Sequence, residues 1–231
     1  MELEIYPANI GKVSNSPFCV KAVCLLNMSG LEWTPRYTPD PRQAPKAKLP
    51  VLYDGDQVIP DSDQIRDHIE SKYNIDFDKG LSAEQKAVSR AFIRMAEEHI
   101  YFAVVCDRWL NEGNWAIIRN AYFENIPKFI RGFITGRIRK EAIAQAHGQG
   151  MARHSEEERF ARVCKDIDAI ETYLSDKDFL HGDTPSAVDA SVGPALDGLI
   201  STPKPTLLRD YVRDSVKLMG YVERVREKLY S

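Results

Sequence analysis

The chain has 231 residues, 43% of them apolar and 28% charged, enough for one domain or two modest ones with proper cores, and it reads as soluble and globular. A formal net charge of −3 gives no electrostatic case for binding nucleic acid, and no apolar run reaches the length of a membrane span. Glu2 and Glu4 leave no basic n-region for a signal peptide. The four cysteines, Cys19, Cys24, Cys106 and Cys164, sit among apolar neighbours without metal-ligand spacing, as reduced thiols do in a cytoplasmic setting.

A first strand is predicted over Leu3–Tyr6, running into a loop that opens a helix at Ser16-Pro17-Phe18-Cys19. Proline suits the first helical position, because its missing N–H is an orphan there in any case. Whatever precedes it faces free N–H groups and the positive end of the helix dipole. Ser16 holds that position and has two readings. It caps the helix, or its hydroxyl donates to a thiolate brought by another molecule. As a nucleophile itself it lacks a neighbouring base. A free thiol is only about 3% ionised at neutral pH, and lowering its pKa by about two units is worth roughly 30-fold.

Thr38 to Lys48 holds Pro39, Pro41 and Pro45 with Arg42, Lys46 and Lys48; it reads as an exposed connector or as a cationic lid. Lys48-Leu49-Pro50 then leads an apolar run, a place where proline is tolerated as a strand start or a cis turn. Val51–Tyr53 and Gln57–Ile59 are predicted strands joined by the turn signal Asp54-Gly55-Asp56. Ser62 is expected to cap a helix Asp63–Tyr73, leaving N–H groups that can meet a carboxylate. A linker, Asn74 to Gly80, gives way to helical periodicity from Ser82 towards Leu110. A break is expected at Glu112-Gly113-Asn114 and another at Pro127. Further helices are predicted near Lys140–Gln145, Glu156–Tyr173, Ser186–Ile200 and Leu207–Tyr230. Ser186-Ala187-Val188-Asp189 reads as a capping box, and Gly193-Pro194 as a kink.

This order of elements, with Ser-Pro-Phe-Cys, Leu-Pro and Asp-Ser in place, resembles the N-terminal domain of glutathione transferases. Ser16-Pro17-Phe18-Cys19 is similar to the Cys-Pro-Phe-Cys of glutaredoxins and omega-type transferases, with Ser16 for the first Cys. Asp61-Ser62 is similar to the family's Glu-Ser or Gln-Ser pair. Gly182 to Asp189 is similar to the capping motif of the C-terminal domain. Two stretches, Glu97 to Trp109 and Gly150 to Glu157, resemble the failed-axon-connections group, related to the metaxins.

The resemblance implies an α/β thioredoxin-like domain over residues 1–76, followed by an all-α domain over 77–231. Thioredoxin-like folds carry a cis proline at this place, while X–Pro bonds in general favour trans, so the isomer of Leu49-Pro50 stays open; glutathione is implied as co-substrate. Ser16 would face the sulfur, with Phe18, Lys48, Leu49, Pro50, Asp61 and Ser62 binding the tripeptide. Tyr101, Arg108 and Trp109 lie on the helix bordering the electrophile side, where interhelical packing is the other reading. A homodimer is implied by the commoner habit of the family, and no metal is.

His99 among apolar residues reads as a structural histidine, and His147 with His154 lacks the partners of a metal site. Arg131, Arg137, Arg139 and Lys140 form a solvated face or a local attractor for an anionic thiol. Three function classes follow. One is an enzyme turning a glutathione thiolate on a small electrophile. Another is a binding or assembly protein on the same fold, as in the metaxins' membrane-associated role. The third, thiol–disulfide exchange, is poorly served where the leading position holds Ser16.

Overall fold

The computed structural model describes residues 1–230. Its first third is a four-stranded sheet in the order β2-β1-β3-β4, with β1 at Glu2–Ile5, β2 at Thr34–Tyr37, β3 at Val51–Asp54 and β4 at Gln57–Pro60. β2 runs parallel to β1, with Leu3 opposite Pro35. The crossover between them is α1, Pro17–Ser29, the connection a parallel pair requires. β3 is antiparallel to β1, with Glu4 opposite Val51, and β4 is antiparallel to β3, with Val51 opposite Pro60. The hairpin turns on Gly55, which takes φ +61° where a side chain would be strained. Both edge strands carry a proline, Pro35 in β2 and Pro60 in β4.

From Cys19 to Leu26 every residue of α1 is buried, because the helix is covered on one side by the sheet and on another by the helical region. That region begins with α2, Ser62–Tyr73, which still packs on the sheet, and α3, Ala83–Arg94. Ser82 and Gln85 form the reciprocal cap of α3. A π-helical turn, Met95–Ile100, carries α3 into α4, Tyr101–Trp109. Then follow α5, Glu112–Tyr122; α6, Lys128–Gln149; α7, Glu156–Leu174; α8, Asp189–Ile200; α9, Leu207–Asp214; and α10, Val216–Leu229. Every residue of α8 is buried; it is the helix on which α1, α9 and α10 pack. At Gly193 a Cβ would lie 2.6 Å from Val225 Cγ1 of α10, so glycine sets that close approach.

Several sequence expectations change. The N-cap of α2 is Asp61 rather than Ser62: the Asp61 carboxylate accepts from Asp63 N at 2.9 Å, and Ser62 is the first helical residue. The break after α4 falls at Asn111, whose side chain caps α5 at Asn114 N, 3.0 Å, so Gly113 lies inside the helix. α6 extends over 22 residues from the proline at its N-cap, far beyond the predicted Lys140–Gln145. Leu207–Tyr230 is two helices, because Ser215 leaves helical geometry to cap α10 at Leu218 N, 3.1 Å.

Only half of the capping box at Ser186 is present. Asp189 reaches back to Ser186 N at 2.8 Å, but the serine hydroxyl donates to that same carboxylate, at 3.1 Å, instead of capping the helix. Leu180 N and Tyr221 Oη complete its shell at 3.0 and 2.9 Å. Burial of this carboxylate pushes its pKa up. α8 runs through Gly193-Pro194 as one element.

Candidate glutathione site

Sheet register brings three separated motifs to one end of the molecule. β1 ends next to the start of β3, which in turn lies beside the end of β4. The loop leading to Ser16, the pair Leu49-Pro50 before β3 and the pair Asp61-Ser62 after β4 therefore emerge at the same sheet end. The Leu49-Pro50 bond is cis, and Asp61 N donates to the Pro50 carbonyl at 3.2 Å, tying two of the motifs directly.

The loop before Ser16 is held by its own polar groups. Ser14 Oγ donates to the Tyr6 carbonyl at 2.8 Å, and Asn15 N donates to the Pro7 carbonyl at 3.1 Å. Ser16 itself occupies the N-cap position of α1, and its carbonyl accepts from Val20 N at 3.0 Å. Its side chain makes no cap hydrogen bond. The hydroxyl turns instead toward the Cys19 thiol of the same helix, which it stabilises in its ionised form.

Cys19, one turn on, is fully buried. Burial pushes its thiol up to about 11, although Tyr6, Ser14 and Ser16 act in the opposite direction. A thiol so protonated at neutral pH is no thiolate nucleophile, which removes the support for disulfide exchange through Cys19.

Phe18 packs edge-on against Tyr101 of α4, ring centroids 4.8 Å apart. That contact joins the first turn of α1 to the start of α4. Burial pushes the Tyr101 hydroxyl up to about 12, against the nearby Arg108 charge. Tyr6, which the motifs did not single out, belongs to the same neighbourhood. Burial raises its hydroxyl pKa, and Cys19, Tyr101 and Asp40 add to the effect.

Arg108 is buried and bridges distant segments. It donates to the Asn15 and Gly198 carbonyls at 3.3 and 2.7 Å, and to Ser201 Oγ and Tyr122 Oη at 2.9 and 3.2 Å. Trp109 stacks on Trp115, 5.2 Å between centroids, at the far end of α4 and about 12 Å along the axis from Tyr101. Tyr101 and Arg108 thus touch the loop and first turn around Ser16, whereas Trp109 meets other helices, Trp115 of α5 through its ring and Arg139 of α6 through its carbonyl.

On the remaining side, Lys48 is exposed and reaches Gln145 Oε1 of α6 at 3.3 Å. Arg42 is paired with Asp40 at 2.6 Å, so of the loop cations Lys46 and Lys48 are the ones without a carboxylate partner among the described residues. Asp61 takes φ 80°, a conformation awkward for a side chain, and is exposed. Ser62 is buried. Two surface cavities, of about 320 Å³ beside Phe77 and His181 and about 680 Å³ beside Trp33 and Tyr53, include none of these residues.

The sequence motifs missed a buried ionic cluster. Lys21 of α1 donates to Asp63 of α2 and, at 2.6 Å, to Glu97 Oε1 of the π turn. Arg94 joins the same two carboxylates, contacting Asp63 Oδ2 at 2.6 Å and Glu97 Oε2. Burial pushes the Asp63 carboxyl up, but Lys21, Arg94 and Arg90 outweigh it and hold it below the ordinary range. One signal for this was available: Lys21 is a lone cation in the apolar run from Phe18 to Leu26. His99 pairs with Asp166 of α7, a structural use. No cluster of three or more His, Cys, Asp or Glu side chains is arranged for a metal among the described residues. None of their helices is long and apolar enough to cross a membrane.

The family model for the glutathione S-transferase N-terminal domain matches residues 17–114, and that for the glutathione S-transferase C-terminal domain matches residues 163–225. An isoprene-epoxide–glutathione S-transferase of Rhodococcus sp. (strain AD45) is 32% identical over 223 residues, covering 92% of either chain. Failed axon connections of Drosophila melanogaster is 29% identical over 94% of this chain, which spans 55% of that protein. Mouse metaxin-1 is 28% identical over 81% of this chain, which spans 62% of that protein. Among solved structures, glutathione transferase GSTFuA3 of Phanerochaete chrysosporium superposes with a TM-score of 0.66 at 16% identity, covering 100% of this chain and 96% of its own. With its sheet, its cis Leu49-Pro50 turn and its helical second half all in place, the chain belongs to the glutathione S-transferase family.

Proposed function

We propose that the protein is a glutathione transferase that directs a glutathione thiolate at a small electrophile. The observation that carries this reading is Ser16. Its hydroxyl stands at the start of α1 without serving as that helix's cap, at the sheet end where Leu49-Pro50 and Asp61-Ser62 also emerge. Ser16 donates to the sulfur, and the positive end of α1 favours the ionised form. Phe18 and Pro50 flank the cysteinyl residue, and the Leu49 backbone pairs with it as an added strand would. Lys48 meets a carboxylate of the tripeptide. Ser62 and the first turn of α2 take the γ-glutamyl carboxylate, and Asp61 takes its ammonium group.

Tyr101 and Arg108 border the electrophile, and Trp109 lies further along the same helix. The thiolate forms a C–S bond as a leaving group departs, or as an epoxide C–O bond opens and the alkoxide is protonated. The Rhodococcus relative is named for an epoxide, so small epoxides are the first electrophiles to assay. The rate comes from thiolate stabilisation and positioning. The same reading takes the protein to be cytoplasmic and homodimeric, with residues 1–76 and 77–231 as its two domains.

The test is an ultraviolet titration of bound glutathione against pH in wild type and in Ser16→Ala. A thiolate formed near neutrality in wild type and lost in the variant supports the reading; glutathione bound without thiolate formation sinks it. A second reading is a non-catalytic binding or assembly protein on the transferase fold. It is favoured by the likeness to Failed axon connections and metaxin-1, and by an Asp61 carboxylate already engaged by its own helix. That reading expects no conjugation with any epoxide.

A further inference from the structure

A closed ring of alternating charge lies behind the candidate site. Lys21, on α1 just past Ser16, is 2% exposed and contacts Asp63 and Glu97, the latter at 2.6 Å. Arg94 contacts the second oxygen of each of those carboxylates, at 2.6 Å for Asp63. Ser191 of α8 donates to Glu97 Oε1 at 3.1 Å. Desolvating an ammonium is costly unless anions meet it, and here two do. A cation in this position would be a liability for packing alone. An apolar residue would fill the same place in α1 without requiring two acids and an arginine around it.

The π turn belongs to this arrangement. Tyr101 N–H reaches the Ala96 carbonyl, five residues back, so the turn holds one residue more than an α-helix. One inserted residue rotates everything beyond it by about 100°. The turn carries Glu97 against Lys21 and leads directly into Tyr101, which packs on Phe18 of the same helix α1. π turns are rare and occur frequently at functional sites.

Asp63 immediately follows Ser62, and its N–H is the one capped by Asp61. Fixing the Asp63 side chain to α1 therefore fixes the first turn of α2 relative to the helix that begins at Ser16. Resting on the glutathione reading above, we infer that Lys21 is a positioning residue for the γ-glutamyl end of glutathione. It acts through Asp63 on Asp61 and Ser62, with Glu97 of the π turn as its second anchor. It touches no substrate atom.

The test compares two thiols on the full chain by calorimetric titration: glutathione, and cysteinylglycine, which lacks the γ-glutamyl group. Lys21→Met is the direct variant. The double variant Lys21→Met/Glu97→Gln removes one cation and one anion together, so it leaves no unpaired buried charge if the single variant fails to fold. The expected result is a Kd for glutathione raised about tenfold, with that for cysteinylglycine changed less than about twofold. Equal weakening of both thiols assigns the ring a merely structural role and overturns the inference, as does no weakening of either. A wild-type chain that fails to prefer glutathione over cysteinylglycine removes the γ-glutamyl site itself. That outcome is read before any variant is compared, and the inference falls with it.

Discussion

Replacing Ser16 by alanine removes one hydroxyl, and the structure limits what that can do. α1 begins with Pro17, so its first turn offers N–H groups only from Phe18 onward, and the Ser16 hydroxyl immediately precedes them. A hydrogen bond to a charged acceptor contributes about 1.5–3 kcal/mol, and a helix terminus about 0.3–1 kcal/mol. At about 1.4 kcal/mol per pKa unit, the hydroxyl accounts for roughly one to two units and the terminus for less than one.

A glutathione thiol brought from about 8.5 to about 6.5 would be roughly three-quarters ionised at pH 7. Returned to about 8 in Ser16→Ala, it would be roughly one-tenth ionised. Conjugation at pH 7 should fall about eightfold, and the difference should close above about pH 9, where both forms are ionised. Thiolate absorbance and the pH–rate profile measure this independently. The protein's own thiols leave that window clear: burial pushes Cys19, Cys106 and Cys164 each up to about 11 and Cys24 higher still. Identical bound-thiol pKa values in wild type and variant would refute the argument, and so would a wild-type value near that of the free thiol.

Ser16→Cys should create glutathione-mixed-disulfide reductase activity; a variant that binds glutathione and stays inert would show that residue 16 does not lie over the sulfur. Asp61→Ala should lower stability by about 1–2 kcal/mol in denaturant unfolding, through loss of the α2 cap, whereas Asp61→Asn should keep the stability and weaken glutathione binding. Asp107, buried against Thr206, has its carboxyl pushed up to about 6 from 3.8, chiefly by burial. The folded protein therefore holds that proton after the unfolded chain has released it, and stability drains as pH rises between those values, by about 3 kcal/mol. Asp107→Asn should abolish this component, so the variant gains on wild type between pH 4 and 7; parallel stability curves would contradict the assignment. Gly193→Ala drives a Cβ into Val225 and should cost about 1–3 kcal/mol, with Val225→Ala added in the same chain restoring part of it.

The sheet, α1 and the Leu-Pro and Asp-Ser positions were legible because each rests on a local rule: proline at a helix or strand start, a glycine turn, an apolar period. What escaped the sequence was decided by partners far along the chain. Ser62 has the chemistry of a cap, yet Asp61 takes that role, since its shorter reach to Asp63 N comes with a backbone that the Pro50 carbonyl holds in place. Ser215 splits an apparently continuous helix while its hydroxyl donates to Glu171 of α7 at 2.5 Å. Lys21 stands as an isolated charge in the sequence because Asp63 and Glu97 lie 42 and 76 residues away. The length of α6 was hidden by Gly132, Gly136 and a weak apolar period, and it follows from packing on α4.

The two edge prolines have a consequence for how copies of this protein can meet. A further strand joining β2 or β4 would need a continuous ladder of donors, and Pro35 and Pro60 each interrupt it. Arg36, exposed beside Pro35, adds a charge that an incoming strand would have to desolvate. The sheet is thus guarded against fusing end to end into a longer one, the route by which exposed edges seed fibres. Partners are left to recognise the molecule through side-chain surfaces, which discriminate among sequences in a way that a bare backbone edge does not.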